Sequence, residues 1–123
     1  MAKMKKTGEA VNLEEKLQSF TDHWGPKIVS NYNDCDIMVV KGKGEFNWHR
    51  HDDTDDFFLV LKGVLQIELR DRTVVLHPGE LFVVPQGVEH RPVAEGEVHL
   101  LLIEPVGVPN TGDPKTAAQK VAI

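Results

Sequence analysis

The chain has one cysteine in 123 residues, Cys35, so no disulfide can form within it. That scarcity suits a reducing compartment, and a cytoplasmic protein is expected. Cys35 stands in the polar stretch Asn31-Tyr32-Asn33-Asp34-Cys35-Asp36 with no catalytic partner beside it, and reads as a structural thiol. Long apolar runs are missing too. Phe57–Leu61 and Leu100–Ile103 are five and four residues long, against the about 20 that a bilayer-spanning helix needs. No apolar segment follows Lys3, Lys5 and Lys6, so no secretory leader is expected, and this basic start reads as a solvated, frayed terminus. Positive charge is not in excess. Fourteen Lys and Arg against nineteen Asp and Glu leave a net charge of −5, which argues against nucleic acid or an anionic membrane as partner. There is no internal repeat and no low-complexity tract. With 41% hydrophobic and 27% charged residues, the chain reads as one ordinary globular domain.

One helix is expected near the start. Asn12 can cap it, Glu15 stands at capping-box spacing, and Leu13, Leu17 and Phe20 recur on one face. After Gly25-Pro26 the pattern becomes extended. Strands are expected at Lys27–Tyr32, Asp36–Lys41, Glu45–His51, Phe57–Leu61, Val64–Arg70, Thr73–Leu76, Leu81–Val84, His90–Ala94 and Val98–Ile103, with Gly, Pro, Asn or Asp between them. Spacing this tight leaves no room for crossover helices, so the sheet should be antiparallel, in a sandwich or barrel. In Phe57–Leu61 one face carries Phe58 and Val60 in register with Asp56, and the other carries Phe57, Leu59 and Leu61. A strand apolar on both faces needs a cover on each, either the helix or another subunit. From Glu104 onward proline, glycine and polar residues read as an irregular tail. The expected organisation is an N-terminal segment over 1–25, a barrel over 26–105 and a tail over 106–123.

Chemistry concentrates at His49-Arg50-His51, followed by Asp55-Asp56 and, much later, by His90. In an extended strand, side chains at i and i+2 share a face, so two imidazoles can converge on one ion. A carboxylate and a third imidazole from a distant strand would complete a mixed nitrogen and oxygen site. The other histidines read differently. His77 precedes a Pro-Gly turn and should face solvent, and His23 beside Trp24 suits packing or capping. His99 lies on the last strand and would reach the pocket only if its parity points inward. Glu45 shares parity with His49 and His51 and could face inward, whereas Trp48 and Arg50 belong to the outer face. Phe58, Val60, Phe82 and Val84 should line the barrel as core.

These spacings together resemble the cupin superfamily, small double-sheet jelly-roll barrels. Its first motif is glycine, five residues, His-x-His, three or four residues, glutamate, six residues, glycine. Here four residues separate His51 from Asp56 and six separate Asp56 from Gly63. Its second motif is glycine, five residues, Pro-x-Gly, two residues, His, three residues, Asn. Here Gly79, Pro85-Gln86-Gly87 and His90 keep that spacing. The match runs from about Gly44 to Ile103, and the fifteen residues between Gly63 and Gly79 resemble compact bacterial members. Three positions depart. Gly42 and Gly44 bracket the expected first glycine, now Lys43, Asp56 replaces the glutamate, and Ala94 replaces the asparagine. Aspartate is one methylene shorter, a deficit of roughly 1.5 Å. Either the strand moves inward, or Asp56 acts through water, or the site is three histidines, with Asp55 as a substitute.

The resemblance implies an all-β double-stranded β-helix barrel with a short N-terminal helix. It implies metal ligation by His49, His51, Asp56 and His90, with a divalent transition metal such as Fe, Mn, Zn or Ni as cofactor. Small members of this kind are often labelled mannose-6-phosphate isomerase-like by motif alone. The expected function is a metal-dependent enzyme of oxygenase or isomerase type acting on a small polar molecule. The alternative is a non-catalytic module holding a small ligand with weak or no metal. A homodimer is also expected, burying Phe57, Leu59 and Leu61, with Asp36–Lys41 as the segment to exchange.

Overall fold

Alternating apolar residues punctuated by turns give eight strands and one short helix in the computed structural model, which describes residues 5–123. Lys3 lies outside the described residues. The helix, α1 (Leu13–Gln18), starts where its cap demands: the Glu15 backbone N–H donates to Asn12 Oδ1 at 3.1 Å. It lasts six residues, so Phe20 falls beyond its end. The apolar stripe still packs outside the barrel, where Leu17 meets Val29 and Val39, bordered by Leu13, Phe20 and Leu61.

The strands are β1 (Lys27–Tyr32), β2 (Cys35–Glu45), β3 (Asp56–Lys62), β4 (Leu65–Leu69), β5 (Thr73–Leu76), β6 (Leu81–Val84), β7 (His90–Pro105) and β8 (Val121–Ala122). The long β7 organises them. Its first half pairs with β4, its second half with β3, and β2 runs alongside both. The two sheets so joined close around one apolar core that includes Met38, Val60, Leu65, Ile67 and Leu100, each fully buried. This is the expected all-β double-sheet barrel. Phe58 and Val84 lie in its core, with Phe82 packed against it.

Several sequence expectations need correction. Glu45–His51 is not a strand. β2 carries a bulge between Gly42 and Gly44 and ends at Glu45, and only His49 returns to the sheet, as an isolated bridge to His90. Parity therefore does not carry from His49 back to Glu45, which is exposed and paired with Arg91 at 3.2 Å. The two final strands are one. Opposite the β2 bulge the register moves from Val98 to Ala94, so Lys43 alone faces Glu95, Gly96 and Glu97. Extra residues on one side of a ladder bend it, and the bend carries β7 from one sheet into the other without breaking it. After β7 the chain is irregular until β8, which pairs parallel to β1 and is the exception to the antiparallel rule. The segment expected to exchange between subunits lies in β2, between β1 and β7 of its own chain. Among the described residues, no helix is long and apolar enough to cross a membrane.

Candidate metal centre

Three separate stretches deliver the cluster. His90 opens β7, Asp56 opens β3 opposite Val84 of β6, and His49 and His51 ride the loop between β2 and β3. Backbone hydrogen bonds fix that loop. His49 and His90 exchange N–H and carbonyl at 3.0 and 2.9 Å, and the Gly87 N–H donates to the His51 carbonyl at 2.8 Å. Asp56 Oδ2 then lies 2.8 Å from His90 Nε2, 3.3 Å from His51 Nε2 and 3.7 Å from His49 Nε2. All four side chains are at least 95% buried. The shorter aspartate thus reaches all three imidazoles. Phe46 meets His49 edge-on at 5.3 Å between centroids, and Phe58 meets His90 at 5.9 Å, so the cluster has apolar walls.

The ring protons bear on what the cluster could hold. His49 Nδ1 lies 2.8 Å from the Asn47 carbonyl and His90 Nδ1 lies 2.9 Å from the Val88 carbonyl. A carbonyl only accepts, so both Nδ1 atoms carry hydrogen. In the neutral ring each Nε2 is then a bare lone pair aimed at a carboxylate oxygen. Acceptors that close repel unless a proton or a cation lies between them. His51 is more exposed to this demand, since neither of its buried ring nitrogens has a hydrogen-bond partner among the described residues. Burial pushes the His51 imidazole down, but the Asp56 carboxylate beside it prevails and holds it above its ordinary value. Burial pushes the Asp56 carboxyl up, and the three imidazoles outweigh that, keeping it well below the usual carboxylate range. One ligand atom from each of His49, His51, Asp56 and His90 lies within 4.8 Å of the others, so the cluster could hold a metal ion. Three nitrogens and one oxygen suit a borderline transition ion.

Other sequence candidates fall elsewhere. Asp55 is exposed and accepts the Gln86 N–H at 2.8 Å, so it anchors the 85–87 turn and cannot substitute for Asp56. His99 lies outside the barrel, 2.8 Å from Glu97, and does not reach the site. His23 holds the other oxygen of that carboxylate at 3.0 Å, a hydrogen bond on the barrel surface rather than a helix cap. These two imidazoles pull the exposed Glu97 carboxyl down to about 2. His77 is exposed, against Glu80. Trp48 is on the outside, under the Arg70 guanidinium at 3.7 Å.

Sequence reasoning missed Glu104. It is 2% exposed, shares the inward parity of Val98, Leu100 and Leu102, and lines the same small cavity as His49 and Asp56. Burial and the nearby Asp56 charge push its carboxyl up, opposed by Lys120, whose Nζ donates to Glu104 Oε2 at 3.0 Å. A charged residue continuing the alternation of a last strand was the signal available. Asn110 and Trp24 also line the cavity.

An all-β double-sheet barrel with a buried histidine and carboxylate cluster at one end defines a class of small metal-site barrels. The chain belongs to the cupin family, whose domain model matches residues 36–104. Among solved structures it is similar to a cupin-2 domain containing protein of Shewanella frigidimarina, with 44% identity and a TM-score of 0.76 over 77% of this chain and 93% of that one. It is 33% identical to the uncharacterized protein YdbB of Bacillus subtilis, over 74% of this chain and 76% of the relative. It is 25% identical to the 3-hydroxyanthranilate 3,4-dioxygenase of Meyerozyma guilliermondii, over 78% of this chain and 61% of that enzyme.

Proposed function

We propose that the chain binds one divalent transition metal, Fe, Mn, Zn or Ni, through His49, His51, Asp56 and His90, and that it is a metal-dependent enzyme acting on a small polar molecule. One observation carries this reading: the Nε2 atoms of three buried imidazoles converge on one buried carboxylate oxygen, and two of those rings have committed Nδ1–H to carbonyls. An ion held there would polarise a bound oxygen or lower the pKa of water. The chain's own residues supply the rest. Asp56 and the imidazoles orient, Phe46 and Phe58 exclude water, and Glu104 places a carboxylate on the same cavity. The similarity to a dioxygenase and the apolar walls support an oxygenase over an isomerase, since a sugar would need more polar groups than this interior presents. The single, half-buried Cys35 supports a cytoplasmic location.

Elemental analysis of protein purified without a histidine tag tests the site. His49→Ala or His90→Ala should lower bound metal by about an order of magnitude, and Asp56→Ala should lower it less. Equal metal in the wild type and in a His49/His90 double variant would refute the assignment. The second reading, a non-catalytic module holding a small ligand, is favoured by the departures at Asp56 and Ala94 from the cupin motifs, and metal-free native protein would select it.

We also propose a homodimer. Leu81 and Val83 are 56% and 40% exposed, and they pair with Leu59 and Phe57 across the β3 and β6 ladder, beyond the reach of α1.

A further inference from the structure

The cavity beside the histidine cluster measures about 30 Å³. A single buried water needs ≳ 10–15 Å³ on the same measure, and pockets that bind organic ligands run to about 300–1,000 Å³. As folded, that cavity admits water and nothing of substrate size, and the wider pocket of about 350 Å³ between the site loop and residues 105–112 meets the cluster only at His51, which is 4% exposed. Most of the cavity wall is strand, tied into the ladders that hold Val40, Phe58, Leu100 and Leu102. Asn110 is different, for it stands on the segment that crosses the end of the barrel between β7 and β8.

That segment is closed but lightly held. Asn110 and Thr111 are buried beneath it, and Gly112 lies so close to the site loop that a Cβ there would collide with the Arg50 carbonyl. Its hydrogen bonds are mostly its own. Ala118 N–H donates to Asn110 Oδ1, Gly112 N–H to the Pro109 carbonyl, and Thr116 and Ala117 N–H to the Asp113 carbonyl. Among the described residues, the links from 107–119 to the barrel are Val108 N–H to the Pro105 carbonyl at the end of β7, at 3.3 Å, and Asn110 Nδ2 to the Trp24 carbonyl at 3.5 Å, the outer limit of a hydrogen bond. The feet are firm. Val106 N–H donates to the Asp34 carbonyl, and Val121 and Ile123 N–H donate to the Pro26 and Ile28 carbonyls. At the second foot Lys120 reaches in to the buried Glu104 at 3.0 Å.

We propose that residues 107–119 form a lid over the histidine cluster, latched at its base by Lys120 on Glu104, and that the lid must lift before an organic ligand reaches the site. The inference rests on the metal-binding reading for what lies beneath the lid, but not for the motion. A unit with internal hydrogen bonds, firm ends and few ties to the barrel opens locally at lower free energy than the sheets. The latch is the tie whose loss should free it.

Two measurements on the whole chain separate the lid from the metal. In the first, Co²⁺-loaded protein is mixed with excess pyridine-2,6-dicarboxylate and loss of the metal's visible absorption is followed. Lys120→Met should speed extraction by about tenfold or more, while Lys115→Met, an exposed lysine on the same segment, should leave it unchanged. Equal rates in the wild type and both variants, with equal cobalt bound at the start, would overturn the lid. In the second, amide hydrogen exchange is measured on metal-free protein. Amides of 107–119 should exchange together and at least about tenfold faster than the paired amides of β7, and faster again in Lys120→Met. Exchange at the β7 rate would overturn the lid whether or not metal binds. A wild type that takes up no Co²⁺ but shows fast collective exchange would refute the metal reading and keep the lid.

Discussion

His51 is the histidine whose protonation the cluster sets most directly. His49 and His90 have carbonyl partners for Nδ1, while His51 has none and lies 3.3 Å from Asp56. Its pKa is raised above the ordinary 6.5, so the folded chain holds this proton more tightly than the unfolded chain. In the metal-free protein that contribution to stability is fully present below pH 6.5 and is lost as pH rises through the raised value. A metal ion must displace the same proton. Below the raised value, apparent metal affinity should fall about tenfold per pH unit for each proton displaced, and above it the dependence should vanish. Calorimetric titration of the metal in buffers of different ionisation enthalpy counts the protons, and scanning calorimetry should show the metal-free melting point falling from pH 6.5 upward. A metal affinity independent of pH would contradict the coupling. At this scale the sequence was informative because spacing survives folding, so His49, His51, Asp56 and His90 could be named in advance. Glu104 escaped because the last strand was ended at Ile103, one residue before the alternation delivered a carboxylate.

The elements were legible where turn residues bracket them, as in β1, β5 and β6, whose bounds agree with the expectation. β2 and β7 were misjudged where a bulge changes their shared register. Gly42 and Gly44 end the regular part of β2, and the same bulge keeps β7 whole. Gly42 is also a seat. The Trp24 indole lies on it so closely that a Cβ would come within 2.6 Å of the ring. The loop carrying His49 and His51 therefore has little ladder of its own and depends on side chains. Trp48 anchors it from outside, stacked under Arg70 at 3.7 Å, with Arg91 at 5.5 Å. Trp48→Ala should lower metal affinity by about 10–100-fold without removing a ligand, the scale of losing a group that orients a metal-binding side chain. Competition with a chromophoric chelator measures this, and far-ultraviolet circular dichroism checks that the barrel is intact. Unchanged affinity would show that the ladder bonds of His49 suffice.

At the scale of the whole molecule, one apolar face still lacks a cover. The helix protects Leu61, Val29 and Val39, but Leu81 and Val83 of β6 stay more than a third exposed beside Phe57 and Leu59. Burying a side chain of that size contributes about 1.5–3 kcal/mol, and a two-fold interface would bury the strip twice. Sedimentation equilibrium at micromolar concentration should give twice the 13.8 kDa of one chain, and Leu59→Glu should halve it. A wild-type mass of one chain would refute the dimer. The need for a cover was visible in the sequence, because Phe57–Leu61 is apolar on both sides. How far the helix reaches was not, since its length is set by where the chain turns to enter β1.

The parallel pairing of β8 with β1 has a consequence for solubility. An open strand edge is a template on which other chains can add, and proteins protect such edges with short strands or covering segments. β8 occupies the β1 edge with two residues, and the lid departs from its far side. The lid can therefore swing while its foot remains paired, and the sheet meets solvent with Lys27 and Ile28 at the start of that edge still covered.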